Sequence, residues 1–385
     1  MPPLVFDLQR ADDPRDVVHR AVQALAEGKV VAVPTETVYV LAASALNAAA
    51  VERILKPAKR LEGVPPLTLA VKSADDALDY VPELSPLARR LARRCWPGPV
   101  TLVLHDEDPH SVVEQLPASV QRAVKCDGYV SLRVPGHNVV LSVLRLFAGP
   151  LAMACIKGPD GAEAVTAEDV IAICGDQVDV VLDDGRSKFA QPCSVVKVKD
   201  RQLQVIESGV LAPTTLHRLA DLMVLVVCTG NTCRSPMAEV LLKKHLAERF
   251  NCTIDDLENR GVIVMSAGIA AMAGGRAAAE AVSAMKERGL DLARHESQPL
   301  TERLVRYADL ILGMTRGHRE AILTQWPEAA GRIELVSIDR SDIADPIGGP
   351  AELYRKCAQQ IDEQLAKWVE QLDLKSIAEP PKPEG

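Results

Sequence analysis

The sequence predicts an α/β protein of two domains, a twisted mixed sheet followed by a doubly wound parallel sheet with helices on both faces. Three observations carry this. Apolar runs of strand length alternate with helical 3.6-residue patterns over most of the 385 residues. The alternation is irregular in the first half and strict in the second. Between the halves, Glu207 to Asp221 carries Gly, Pro and Thr-Thr with weak periodicity. The length exceeds one typical core and suits two. The expected division is a first domain at 1–212, a linker at 213–221, a second domain at 222–375 and a disordered tail at 376–385, rich in Pro, Glu and Lys.

In the first half, Asp16–Ala26 has helical spacing, and Val30–Val33 is a short buried strand stopped by Pro34. Ala48–Arg60 is helical again. Strands are expected at Leu67–Val71, Val100–Leu104, Val130–Val134 and Val178–Leu182. Ser194–Val198 and Leu203–Ile206 follow one another with no helix between, which gives the sheet antiparallel members. In the second half, the strand Met223–Val227 leads to a helix from Pro236 to Phe250. Then come a strand (Val262–Met265), a helix (Arg276–Arg288), a strand (Leu310–Met314), a helix (His318–Gln325), a strand (Ile333–Ile338) and a last helix (Ala351–Leu372). Such alternation implies parallel strands, and ligands of such sheets bind beyond the carboxyl ends of the strands.

Composition narrows the function classes. Hydrophobic residues make up 48% and aromatics only 3%, so the cores are built from Leu, Val, Ile and Ala. A net charge of -8 argues against a protein held to nucleic acid mainly by counterion release. Nine cysteines with no C-x-x-C pair suit neither a zinc knuckle nor a disulfide framework, so no metal and a reducing cytoplasm are expected. The first residues are charged and lack an apolar run, and no apolar stretch reaches spanning length, so neither a signal peptide nor a membrane partner is expected. Nothing in the sequence bears on oligomeric state.

The strand Met223–Val227 runs into Cys228-Thr229-Gly230-Asn231-Thr232-Cys233-Arg234-Ser235-Pro236. A loop between a strand end and a helix N-terminus can curl so that successive N–H groups point inward and cradle a dianion. Thr229, Gly230, Asn231, Thr232 and Cys233 supply that loop, with Gly230 expected at a backbone conformation that a side chain would forbid. Pro236 suits a first helical turn. Helix N-termini and cations bring a thiol from about 8.5 into roughly 3.5–7.5, so Cys228 is the expected nucleophile. Arg234 is placed to hold two phosphoryl oxygens in a bidentate fork, and Ser235 to donate to the departing thiolate.

With these residues in hand, 222–372 resembles the low-molecular-weight protein phosphatases. The signature is Cys-Thr-Gly-Asn-Thr-Cys-Arg-Ser-Pro-Met-Ala-Glu at 228–239. Ser266-Ala267-Gly268, Gly289-Leu290-Asp291 with His295, Ala308-Asp309 and Asp345-Pro346 add to it. The resemblance implies a phospho-cysteine intermediate with no cofactor. Asp345 is then the general acid, Asn231 shapes the loop with His295 bonded to it, and Ser266 supports it. Phosphotyrosine members carry aromatics after Asp-Pro. Here Ile347-Gly348-Gly349 follows, and with Thr232 this is closer to phosphoarginine members, so phosphorylated proteins are the expected partners, on arginine or tyrosine. An arsenate-reducing relative would need two further redox cysteines, a role that Cys252 and Cys357 suit poorly. Cys233 either pairs with Cys228 under oxidation or is a packed loop residue.

Residues 14–210 resemble the threonylcarbamoyl-AMP synthase (YrdC-like) family through Val33-Pro34-Thr35-Glu36-Thr37-Val38-Tyr39, Trp96-Pro97-Gly98-Pro99-Val100-Thr101-Leu102 and Leu132-Arg133-Val134-Pro135-Gly136-His137. That family makes an adenylate from threonine, bicarbonate and ATP for tRNA modification. The implied site residues are Thr35, Lys59, Arg60, Arg133 and Ser194, with ATP as nucleotide and RNA as partner. The departures are Val40 for a Gly, Cys155-Ile156-Lys157 for Ser-Ala-Asn, Cys193 before Ser194, and Glu207 for an Arg. The expectation is a retained scaffold with degenerate chemistry, serving as a recognition module, with a working synthase as the alternative.

Overall fold

A computed structural model describes residues 2–372 and Ile377. The expected tail at 376–385 therefore lies, Ile377 apart, outside the described residues. The chain divides after Leu219 into two units, each with its own sheet.

Among the described residues the first unit has eleven strands. They are β1 (Leu4–Asp7), β2 (Val31–Val33), β3 (Val40–Ser44), β4 (Thr68–Ala70), β5 (Val100–His105), β6 (Lys125–Cys126), β7 (Tyr129–Arg133), β8 (Leu151–Cys155), β9 (Val180–Asp183), β10 (Ser194–Lys199) and β11 (Gln202–Glu207). The sheet order is β1-β9-β2-β3-β8-β4-β7-β5-β10-β11, with β6 paired to β7. Parallel pairs such as β5–β10 sit beside antiparallel ones such as β3–β8 and β10–β11. Helices α1 (Pro14–Ala26) and α5 (Asn138–Leu146) place Val17, Ala21, Leu25, Val140 and Val143 against Val31, Val33, Val40 and Ala42. The remaining helices are α2 (Ala48–Leu55), α3 (Pro86–Cys95), α4 (Ala118–Val124), α6 (Ala167–Cys174) and α7 (Pro213–Ala220). Helix α7 occupies the segment read as a linker. Its Pro213-Thr-Thr start reads as a loop, yet Pro is favourable in a first turn, and Leu216 is fully buried.

In the second unit β12 (Leu222–Cys228), β13 (Val262–Gly268), β14 (Leu310–Gly313) and β15 (Ile333–Leu335) are parallel in the order β13-β12-β14-β15. Period-two alternation along β12 feeds two cores. Val224 and Val226 pack with Leu241, Leu242 and Leu246 of α8 (Arg234–Phe250), Met285 of α9 (Ala279–Lys286) and Ile361 and Leu365 of α12 (Ala351–Gln371). Met223, Leu225 and Val227 pack with Val305 of α10 (Glu302–Tyr307) and Ile322 of α11 (Arg316–Gln325). Helices thus cover both faces, which is why β12 is apolar at every position. The chain leaves β12 toward β13 on one side and later returns to β14 on the other. The carboxyl end of β12 is therefore the switch point where such a sheet leaves a crevice, and Cys228 is its last residue.

Candidate active site

Cys228 is 3% exposed and sits at the floor of the loop that joins β12 to α8. Its Sγ receives the Asn231 N–H at 3.2 Å and lies 2.9 Å from Ser235 Oγ. The curl rests on Asn231, whose φ of 55° lies in the left-handed region. Gly230 does not adopt a positive φ, contrary to expectation. Asn tolerates that region better than most side chains, and here its amide is used in full. Asn231 Nδ2 donates to Ser235 Oγ at 3.0 Å and to Ser266 Oγ at 2.9 Å, while Oδ1 accepts from the Gln298 N–H at 2.8 Å. His295 Nε2 reaches the main-chain carbonyl of Asn231 at 2.8 Å. Ser266 Oγ in turn donates to Glu239 Oε2 at 2.6 Å.

The glycine that the loop requires is Gly268, directly opposite Cys228 in the β12–β13 register. A Cβ there would lie 2.5 Å from Thr229 O and 2.9 Å from Asn231 N, both main-chain atoms. Arg234 is 4% exposed. Its Nη1 donates to Ile343 O at 3.1 Å, and its Nη2 pairs with Asp345 Oδ2. Asp345 Oδ1 accepts from the Ile347 N–H at 3.2 Å. Thr232 is half-buried, its carbonyl accepting from the Ala278 N–H at 2.9 Å. Cys233 Sγ lies 3.5 Å from the Tyr354 hydroxyl, and burial pushes that phenol's pKa up.

The predicted residues thus converge at one strand end. His318 was missed, although it lies three residues past the Thr315 that follows β14. It is 4% exposed, with Nε2 3.0 Å from Thr229 Oγ1 and Nδ1 2.7 Å from Thr315 Oγ1. Burial, with the Arg234 charge second, lowers its pKa to about 4, so the ring is neutral near pH 7. Burial pushes the Cys357 thiol up to about 12, which suits a packed residue and not a redox partner.

In the first unit the expected site residues are engaged with one another or with the scaffold. Thr35 Oγ1 donates to Val38 O at 2.6 Å. Arg133 is buried, with Nη2 2.7 Å from Glu36 Oε1 and 3.0 Å from Thr37 Oγ1. Ser194 Oγ donates to Leu211 O at 3.0 Å and accepts from the Gly209 and Leu211 amides. Arg60 is exposed. Lys59 pairs with Glu207 and lies 3.8 Å from Glu163, which is 3.0 Å from Lys157. Cys155 holds the buried Cys193 thiol below its usual range, to about 6. Lys59, Cys155, Cys193 and Glu207 line one small pocket. Glu207 and Glu163 thus set two carboxylates beside the Lys59 ammonium. Among the described residues no cluster of His, Cys, Asp and Glu suits a metal ion, and no helix is long and apolar enough to cross a membrane.

Comparison with known proteins agrees with both halves. The family model for low molecular weight phosphotyrosine protein phosphatase matches residues 223–377. The Sua5/YciO/YrdC model, described as telomere recombination, matches residues 23–209. A protein-arginine-phosphatase of Bacillus subtilis is 39% identical over 153 residues, covering 39% of this chain and 95% of the relative. A probable low molecular weight protein-tyrosine-phosphatase, EpsP, of Ralstonia nicotianae is 37% identical over 147 residues, 38% of this chain and 92% of the relative. A threonylcarbamoyl-AMP synthase of Pyrococcus abyssi is 31% identical over 174 residues, 45% of this chain and 48% of the relative, so this chain spans about half of that protein. Through its second unit the chain belongs to the low molecular weight phosphotyrosine protein phosphatases, a family of hydrolases, and through its first it carries a domain of the Sua5/YrdC type.

Proposed function

We propose that the second unit hydrolyses phosphorylated protein side chains through a phospho-cysteine intermediate, with phosphoarginine preferred to phosphotyrosine. The observation that carries the reading is Cys228 Sγ at the floor of the loop, touched by the Asn231 N–H and by Ser235 Oγ. Sγ attacks phosphorus, and the bond from phosphorus to the leaving oxygen or nitrogen breaks. Loop amides and the Arg234 guanidinium hold the equatorial oxygens, whose charge they meet without reorganising. The leaving group takes a proton from Asp345. Water then loses a proton to Asp345 and attacks phosphorus, and the S–P bond breaks with Ser235 donating to the departing thiolate. The Arg234–Asp345 pair holds the acid beside the guanidinium that binds the phosphoryl group.

Phosphoarginine is favoured by the acid loop, where exposed Ile347 and two glycines stand in place of an aromatic wall. The identity to the arginine phosphatase adds support. Cys228→Ser is expected to abolish turnover, and an unchanged rate would refute the mechanism. Phosphoarginine and phosphotyrosine peptides assayed side by side test the preference. A higher kcat/KM on tyrosine reverses it.

For the first unit we infer a recognition module for the protein substrate and not a working synthase, because Lys59 is held by Glu207 and Glu163. Removing residues 1–212 is then expected to change the choice among protein substrates. Unchanged choice, or binding of tRNA by the intact chain, would count against it.

A further inference from the structure

The mouth of the phosphate loop holds a side-chain chain that the chemistry above does not use. Thr315 Oγ1 caps α11 by accepting the His318 N–H at 3.2 Å, and the same oxygen lies 2.7 Å from His318 Nδ1. The other ring nitrogen lies 3.0 Å from Thr229 Oγ1. A neutral imidazole carries one proton, so one nitrogen donates and the other accepts. The Thr315 oxygen already accepts the His318 N–H, and Nδ1 is the acceptor within reach of its hydroxyl proton. With that proton on the Thr315–Nδ1 bond, the ring proton sits on Nε2 and is given to Thr229 Oγ1. The Thr229 hydroxyl proton is then left to face outward, and Thr229 is exposed, next to Cys228. Arg234, Asp345 and Asp342 are the charged groups that act on the ring.

We propose that His318 is a positioning residue that holds the Thr229 hydroxyl as a hydrogen-bond donor to an oxygen of the bound phosphoryl group. The idea rests on the phosphatase reading of the same loop, and it adds one side-chain donor to the ring of main-chain N–H groups. His318 never touches the ligand. It acts by fixing which way one proton points.

The test is a double-mutant cycle in the full chain, read by kcat/KM on 4-nitrophenyl phosphate and by the dissociation constant of inorganic phosphate measured calorimetrically. Thr229→Val and His318→Leu are each expected to weaken both readouts about tenfold, the usual effect of losing a hydrogen bond to a charged group. The double variant is expected to lose no more than either single one. His318→Gln, which keeps a donor near the Nε2 position, and Thr229→Ser, which keeps the hydroxyl, are expected to recover most of the loss. Multiplicative losses in the double variant would make His318 a packing residue and overturn the proposal. So would a Thr229→Val protein that binds phosphate as the parent does. Thr229 is exposed, so that variant keeps the test alive if His318→Leu fails to fold. Phosphate affinity also separates the two readings. A parent that binds phosphate, weakened by Thr229→Val, yet turns over no substrate defeats the hydrolysis and spares the hydroxyl.

Discussion

At the scale of single residues, the two oxygens of Asp345 serve two purposes. Oδ2 pairs with Arg234, and Oδ1 accepts from the Ile347 N–H that closes its own turn. The turn and the arginine between them fix where the carboxyl sits. A residue used in this way matters in proportion to how badly the leaving group needs a proton. Asp345→Asn keeps the turn and loses the acid. It is expected to lower kcat by about 10²–10⁴ on alkyl or guanidino leaving groups, the range of general acid catalysis, and by much less on 4-nitrophenolate. A leaving-group series on the parent and the variant checks this, and an equal loss on every substrate would leave Asp345 a structural role only.

At the scale of elements, the loop is held from below by β13. Gly268 pairs across from Cys228, and a Cβ at that position would run into Thr229 O and Asn231 N. Main-chain atoms of a curled loop have nowhere to go, so Gly268→Ala must displace the loop. The expected cost is about 1–3 kcal/mol of stability, as for other overpacked positions, with a far larger fall in phosphate affinity. Denaturant unfolding and phosphate titration on one sample separate the two, and a parent-like affinity would sink the argument. This dependence also marks the limit of what the sequence discloses. The strand, the loop and α8 are contiguous, so 222–250 reads almost complete from its apolar run and its Cys-x5-Arg signature. Gly268, Gln298 and His318 reach the loop from other elements; Gly268 enters only through the resemblance, in Ser266-Ala267-Gly268, and nothing in the neighbourhoods of Gln298 and His318 announces them. The same holds for structure. Strands β3 and β8 escaped prediction because Val-Leu-Ala-Ala-Ser and Leu-Ala-Met-Ala-Cys are poor in β-branched residues, and only sheet neighbours make them strands. Helix α9 starts at Ala279 and not at Arg276, because Arg276 is bridged to Glu296 in an extended segment.

At the scale of the whole molecule, two α/β units share a chain, and their polar groups are used in opposite ways. The second unit brings Cys228, Asn231, Arg234 and Ser235 together at a strand end. The first unit spends its candidate ligands on itself. Arg133 is taken by Glu36, Ser194 by the turn around Gly209, and Lys59 by Glu207 and Glu163. Two carboxylates, Glu207 and Glu163, stand beside Lys59 where Arg234 has one, and they would repel an incoming phosphate. A nucleotide present at a hundred times its dissociation constant would stabilise its unit by about 2.7 kcal/mol, a shift that calorimetry resolves easily. With the phosphate loop of the second unit filled by vanadate, magnesium-ATP is expected to leave the unfolding of the intact chain unmoved. Glu207→Gln, which frees Lys59 of its nearest countercharge, is expected to gain a measurable response to ATP without gaining turnover, since the other departures stay in place. Formation of threonylcarbamoyl-adenylate from ATP, threonine and bicarbonate by the parent protein would overturn this view of the first unit and leave the phosphatase argument untouched.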